Sequence, residues 1–188
     1  VNNNRRGVFA LAVALMAMLN YFFFAGQVVF VLVYFLFRCT CKDFHITRRK
    51  FFSIALESII GVLLSAVLLL PSCLTILENN RVTERLYGMN MVAYSDRTRI
   101  IRIIQSFFMI PDVPARPNLF STDSAKWASI GGYLPLFGMT GVIGWLQLRR
   151  KHWLKKMLWV LFLMALVPFL NSSFQLMNSS YYARWYYM

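Results

Sequence analysis

The chain has 188 residues, of which 59% are hydrophobic, 16% aromatic and only 14% charged, with a mean hydropathy of +0.54. A soluble domain of this length carries about a quarter charged residues, so this composition excludes an ordinary soluble domain, and its apolar residues fall in blocks, as membrane spans do. The formal charge of +13 sits in short loops beside those blocks, which reads as a topology signal and as contact with anionic headgroups, not as a nucleic-acid surface.

The chain opens at Val1 and closes on the aromatic run YYARWYYM, residues 181–188. It reads as an internal piece of a longer protein. Residues 8–37 form the first apolar block, interrupted at Asn20 and again at Gly26 and Gln27. The block is long for one helix of about 20 residues and short for two. One long tilted helix fits, and so do two short helices, 8–19 and 21–37, turning at Asn20 and Tyr21. The loop that follows, RCTCKDFHITRRK, is basic and therefore cytoplasmic. Only the hairpin returns Arg5 and Arg6 to that same side, so the charge pattern favours two helices. Asn20 and Tyr21 then sit at the outward tip, where they line a polar pocket or cap a helix.

Cys39, Cys41 and His45 in the basic loop make a C-x-C-x3-H pattern. A metal site needs a further ligand, so these are read as juxtamembrane residues, and no disulfide framework is expected. Residues 51–70 form an outgoing crossing closed by Pro71. Its one acid, Glu57, is within the span, where an acid is costly unless partnered; an ion pair with Arg48 or Arg49 is the expected arrangement.

Residues 71–128 form a long outer loop of mixed charge. Within it, RTRIIRIIQSFFMIP alternates Arg97, Arg99 and Arg102 with a broad apolar face, the pattern of a helix lying in the headgroup plane. Asp96, Asp112 and Asp123 are outer acids without a D-x-D pair. Residues 129–148 form an incoming crossing, whose five glycines (Gly131, Gly132, Gly138, Gly141 and Gly144) permit close helix packing. The basic loop RRKHWLKK precedes a last crossing over residues 153–170, and residues 171–188 lie outside. Asn171 and Asn178 each begin an N-x-S acceptor pattern, which polar residues at a helix exit explain without modification.

Three stretches, LNYFFFAG, GVLLSAVLLLPSCLTILENNR and PFLNSSFQLMNSSYYARWYYM, resemble the YfhO family of bacterial membrane proteins. The likeness runs over most of the chain and is weaker from residue 106 to 156. It implies an all-α, polytopic integral membrane protein of the bacterial cytoplasmic membrane. The chain would be a fragment of a helix bundle similar to the GT-C class of glycosyltransferases, with a long outer loop carrying an interfacial helix. The class transfers a sugar from a polyprenyl-phosphate carrier at the outer face, here to an envelope polymer such as lipoteichoic acid. Its catalytic acid belongs to a first outer loop, expected upstream of residue 1, so no catalytic residue is assigned in this chain. No cofactor is identified, and a divalent metal is compatible with the chemistry.

Such an enzyme needs cations where negative charge builds on the leaving phosphate. Arg184 is the first candidate, because Arg stays charged and grips phosphate oxygens in a fork. Tyr181, Tyr182 and Trp185 could stack on it or on a sugar, and Arg97 and Arg102 are further phosphate candidates. An interfacial aromatic belt with a snorkelling Arg explains the same residues, so Arg184 is either an anchor or a phosphate ligand. A transporter or flippase for lipid-linked sugars, and a non-catalytic membrane scaffold, are the alternative functions. The transporter would need inverted repeats and midplane polar residues, for which only Glu57 and Asn20 are candidates.

Overall fold

The computed structural model of the chain describes residues 7–77, 86–95, 99–108, 137–148, 152–178 and 183–188, with Phe22, Leu77, Arg102, Gln105, Ala183 and Arg184 described by backbone alone. These residues form α1 (Val8–Leu19), α2 (Tyr21–Cys39), α3 (Arg48–Leu77), α4 (Arg99–Ser106), α5 (Gly138–Leu148), α6 (Trp153–Leu166) and α7 (Pro168–Ser173), with 3-10 segments at Gly88–Met91 and Ala183–Tyr187. No strand occurs among them, so the fold is all-α. One helix among the described residues, α3, is long and apolar enough to cross a bilayer, over Arg48–Ile76; α1 and α2 are shorter apolar helices.

Asn20 separates α1 from α2 with extended backbone (φ −160°, ψ 96°). Its Oδ1 accepts a hydrogen bond from Phe23 N at 3.3 Å, which caps the N-terminus of α2. The two helices do not run on in line. Collinear helices would hold Phe35 and Val13 about 33 Å apart at ~1.5 Å per residue. Yet the rings of Phe35 and Phe51 are 6.0 Å apart. Phe51 and Gly61 are separated by only about 15 Å of α3, and Gly61 lies against Val13. The chain therefore turns sharply at Asn20 and brings α1 alongside α3.

That contact rests on small residues. Ala10, Ala14 and Ala17 of α1 are buried at helical spacing, and Ser65 of α3 is fully buried. A Cβ at Gly61 would stand 2.6 Å from the Ala10 carbonyl oxygen and 2.7 Å from Val13 Cβ, so only glycine permits this approach. Without a hydrophobic drive between helices in lipid, close backbone contact supplies the attraction. Of the glycines expected to do the same, Gly141 and Gly144 of α5 meet no described atom within 4 Å, and Gly131 and Gly132 lie outside the described residues.

Three features depart from the sequence expectations. Pro71 does not close α3, which continues to Leu77. Proline removes one backbone donor, the one that would meet the Val67 carbonyl, and the helix carries it; the Ser72 and Thr75 hydroxyls next to it donate back to the Leu68 and Pro71 carbonyls at 2.8 and 2.9 Å. Glu57 makes no ion pair with Arg48 or Arg49, because eight or nine residues along a helix amount to about 12–14 Å. Among the described residues the ion pair is Arg38 with Asp43, at 3.3 Å. Finally, the last crossing is broken: α6 stops at Leu166, Val167 is extended (φ −103°, ψ 119°), and α7 restarts at Pro168. A residue before proline is pushed out of the helical region, while proline itself suits a first helical turn.

The main core gathers along α6, where Met157, Leu161 and Ala165 recur every fourth residue, and it includes Ile103, Phe174, Trp185 and Tyr186. Val29, Phe30, Val33 and Phe37 of α2 pack on its edge. Gly26 lets α2 approach the chain after α7: a Cβ there would lie 2.9 Å from the Phe174 carbonyl oxygen.

Gly61→Ala should force α1 off α3 and cost about 1–3 kcal/mol, the usual penalty of overpacking, whereas Gly144→Ala should be neutral or slightly stabilising. Thermal unfolding of the two variants in the same detergent checks the contrast.

Candidate functional site

The break between α6 and α7 leaves polar backbone in an apolar setting, and a polar cluster forms around it. The Ala165 carbonyl belongs to the last turn of α6, whose carbonyls lack the partners a continuing helix would provide. Tyr94 donates its hydroxyl to that oxygen at 2.7 Å. Asn171 Nδ2 donates to Tyr94 Oη at 2.9 Å and more weakly to Ala165 O at 3.4 Å. Trp185 Nε1 donates to Asn171 Oδ1 at 2.8 Å. An indole N–H can only donate, so it fixes the orientation of the Asn171 amide and directs Nδ2 toward Tyr94 and Ala165.

Asn171 is 1% exposed, and it ties three distant segments to one point. The chain returns to it through Leu176 and Met177, both with left-handed backbone (φ 56° and 62°), a conformation non-glycine residues seldom adopt. Trp185 stacks on Phe174 with centroids 3.8 Å apart and planes within 3°. Tyr186 stacks on Phe107, just past α4, at 4.7 Å and 11°. Gln27 Nε2 donates to Tyr187 Oη at 3.4 Å, so α2 also meets the terminal segment. The Gln27 Oε1 atom is buried with no hydrogen-bond partner among the described residues.

The sequence-nominated residues divide accordingly. Arg184 lies in the terminal 3-10 helix and Arg102 in α4, and the Phe107–Tyr186 stack brings these two elements together. Arg99 is close enough to act electrostatically on Tyr186. Tyr181, Tyr182, Arg97, Asp96, Asp112 and Asp123 lie outside the described residues. Trp185, nominated to stack on a sugar or on Arg184, is 5% exposed and serves packing instead, since one ring face and its N–H are already engaged. Asn20 acts as a helix cap, and Tyr21 is half exposed. Asn171, as buried as it is, offers no access for glycosylation in the folded chain.

Sequence reading missed Asn171 and Tyr94 as the centre of the cluster. Asn171 carries a faint signal, an amide three residues after an X-Pro break in an apolar run. Tyr94 carries none, because its partner is 71 residues away. On the opposite, basic side of the chain, the Arg38 guanidinium lies 5.1 Å from the ring centres of both Phe44 and Trp153, a cation–π clamp that joins α2 to α6. Among the described residues no group of three His, Cys, Asp or Glu side chains could hold a metal.

Among the described residues, a bilayer-length apolar helix, small-residue helix contacts and a helix broken at proline beside a polar cluster are features expected of a membrane protein. A family model described as bacterial membrane protein YfhO matches residues 1–188, the whole chain. The chain belongs to the YfhO family of bacterial membrane proteins. No curated protein and no solved structure matches it.

Asn171→Ala should leave the buried Trp185 N–H without its acceptor and cost about 1–3 kcal/mol, the penalty of one orphaned buried group. The checks are a lower unfolding midpoint and a changed Trp185 emission. Burial pushes the Tyr186 phenol well above its ordinary range; nearby Tyr94 adds to the rise, while Arg99 and a hydrogen bond with Asn171 oppose it. A phenol that ionises more readily unfolded than folded gives stability that is full below pH ~10 and falls as the pH rises beyond it. Tyr186→Phe should flatten that fall in unfolding midpoints taken across pH ~9–11.

Proposed function

We propose that this chain is part of a multi-pass glycosyltransferase of the bacterial cytoplasmic membrane, which takes a sugar from a polyprenyl-phosphate carrier at the outer face and adds it to an envelope polymer such as lipoteichoic acid. The observation that carries the reading is the pairing of α4 with the terminal 3-10 helix through Phe107 and Tyr186. Two arginine-bearing segments, some 80 residues apart in sequence, become neighbours. A carrier diphosphate or phosphate needs more than one cation as negative charge builds on the leaving group. We read Arg184 on one segment and Arg102 on the other as candidates for such a set, with Arg97 five residues before Arg102 in sequence.

The same region suits a lipid-borne donor. Ile100, Ile101 and Ile104 on α4, and Phe108 just past it, are about half exposed, while Ile103 and Ser106 face the core. An amphipathic helix docked by one edge and open along the other lies naturally at the headgroup level. There the arginines meet phosphate and the apolar face meets the polyprenyl chain. Membership of the YfhO family supports a membrane setting for this chemistry. The catalytic carboxylate is assigned to a part of the protein upstream of this chain.

In the full-length protein, Arg184→Ala should lower sugar transfer from a polyprenyl-phosphate donor by on the order of 10²-fold, the cost of losing one charge-stabilising group in a transition state, with membrane insertion unchanged. Transfer assayed in isolated membranes, normalised to inserted protein, gives the answer. Unchanged transfer would sink the phosphate role of Arg184 and favour movement of lipid-linked sugars or a scaffold role instead.

A further inference from the structure

Between α5 and α6 lies a groove that the transferase reading leaves unused. Ile143, Leu146 and Gln147 of α5 line it with Lys155 and Trp159 of α6, around a volume of about 440 Å³. That lies within the ~300–1,000 Å³ typical of small-ligand sites. Spacings of three and four residues put each set on one helix face. The groove is graded along its length. Gln147 is in the last turn of α5 and Lys155 in the first turn of α6, so the polar pair is at the interhelical loop. Ile143 and Trp159 are a turn further from that loop, and they are 39% and 54% exposed, leaving an open apolar wall.

The sequence that joins the two helices is basic. The loop between the two helices contributes Arg149, Arg150 and Lys151, Lys156 follows Lys155, and no acidic residue occurs after Asp123. A basic cluster of this kind belongs on the cytoplasmic side, where the leaflet carries anionic lipid. A zwitterionic headgroup would leave this excess charge unbalanced. A phosphate bearing net negative charge would neutralise it, with the Lys155 ammonium as a point-charge partner and the Gln147 amide as a neutral donor.

We infer that this groove seats an anionic glycerophospholipid of the cytoplasmic leaflet, its phosphate against Lys155 and Gln147 and an acyl chain along Ile143, Leu146 and Trp159. The site is independent of the outer-face transferase reading and stands whether or not that reading holds.

The test uses the full-length protein in phosphatidylcholine nanodiscs doped with either brominated phosphatidylglycerol or brominated phosphatidylcholine. Quenching assigned to Trp159 is the difference between wild type and Trp159→Phe. Titrated by mole fraction, Trp159 should favour the brominated phosphatidylglycerol. Lys155→Gln should weaken its apparent affinity about fivefold, the worth of one near-surface cation at an anionic bilayer, and Lys155→Arg should restore it. Wild-type levels of quenching by brominated phosphatidylcholine in Lys155→Gln verify that the variant is folded around Trp159. Equal quenching by the two lipids, or a phosphatidylglycerol preference that survives Lys155→Gln, would overturn the inference.

Discussion

One backbone carbonyl organises the polar cluster on which much of this chain converges. Pro168 stops α6 from running on, and the Ala165 oxygen near that break is met by Tyr94 and Asn171. In a low-dielectric setting a polar group left unpaired is expensive. The break is therefore tolerable only with partners supplied from elsewhere in the sequence. Asn171 lies on the short helix that the break creates, and Tyr94 comes from the long segment after α3. Trp185 then fixes the Asn171 amide from the far side. Stacking on Phe174 and Phe107 follows from where these hydrogen bonds hold the terminal segment.

The consequence for function lies in what this arrangement gathers. The aromatic terminus is held on α2, α6 and α4 together, with Gly26 clearing space for the Phe174 carbonyl and Gln27 reaching Tyr187. Arginines that a linear reading treats as separate anchors are carried on adjoining elements. On the basic side Arg38 forms a second tie between α2 and α6, held by two rings and Asp43. That end of the α2–α6 contact is thus fixed by directional interactions, and apolar residues of the two helices fill the space beyond it. The α1–α3 pair is built differently, on alanine and glycine contact, as suits helices that gain no hydrophobic advantage from leaving lipid.

Several of these features were legible without coordinates. The apolar blocks and the interruption at Asn20 identify apolar helices and a break between two of them. The alternation of Arg and Ile after residue 98 identifies an amphipathic helix. These are local signals, set by periodicity and by single-residue chemistry. Pro71 and Pro168 show the limit of such signals. Both are prolines in apolar runs, yet α3 passes through Pro71 while α6 ends before Pro168. The Ser72 and Thr75 hydroxyls donate to carbonyls around the first. At the second, Val167 takes up the extended backbone that proline favours in its predecessor, and the partners come from across the fold.

The sequence by itself determined that the chain is helical, apolar and akin to YfhO proteins, because each of those properties is written in neighbouring residues. Only the tertiary structure decided that Trp185 is a packing residue, that Asn171 is a hub instead of a glycan acceptor, that Glu57 does not pair with Arg48 or Arg49, and that α4 and the terminus adjoin. Those outcomes depend on contacts between residues as much as 80 positions apart, and on which buried donor finds which acceptor once the helices have packed.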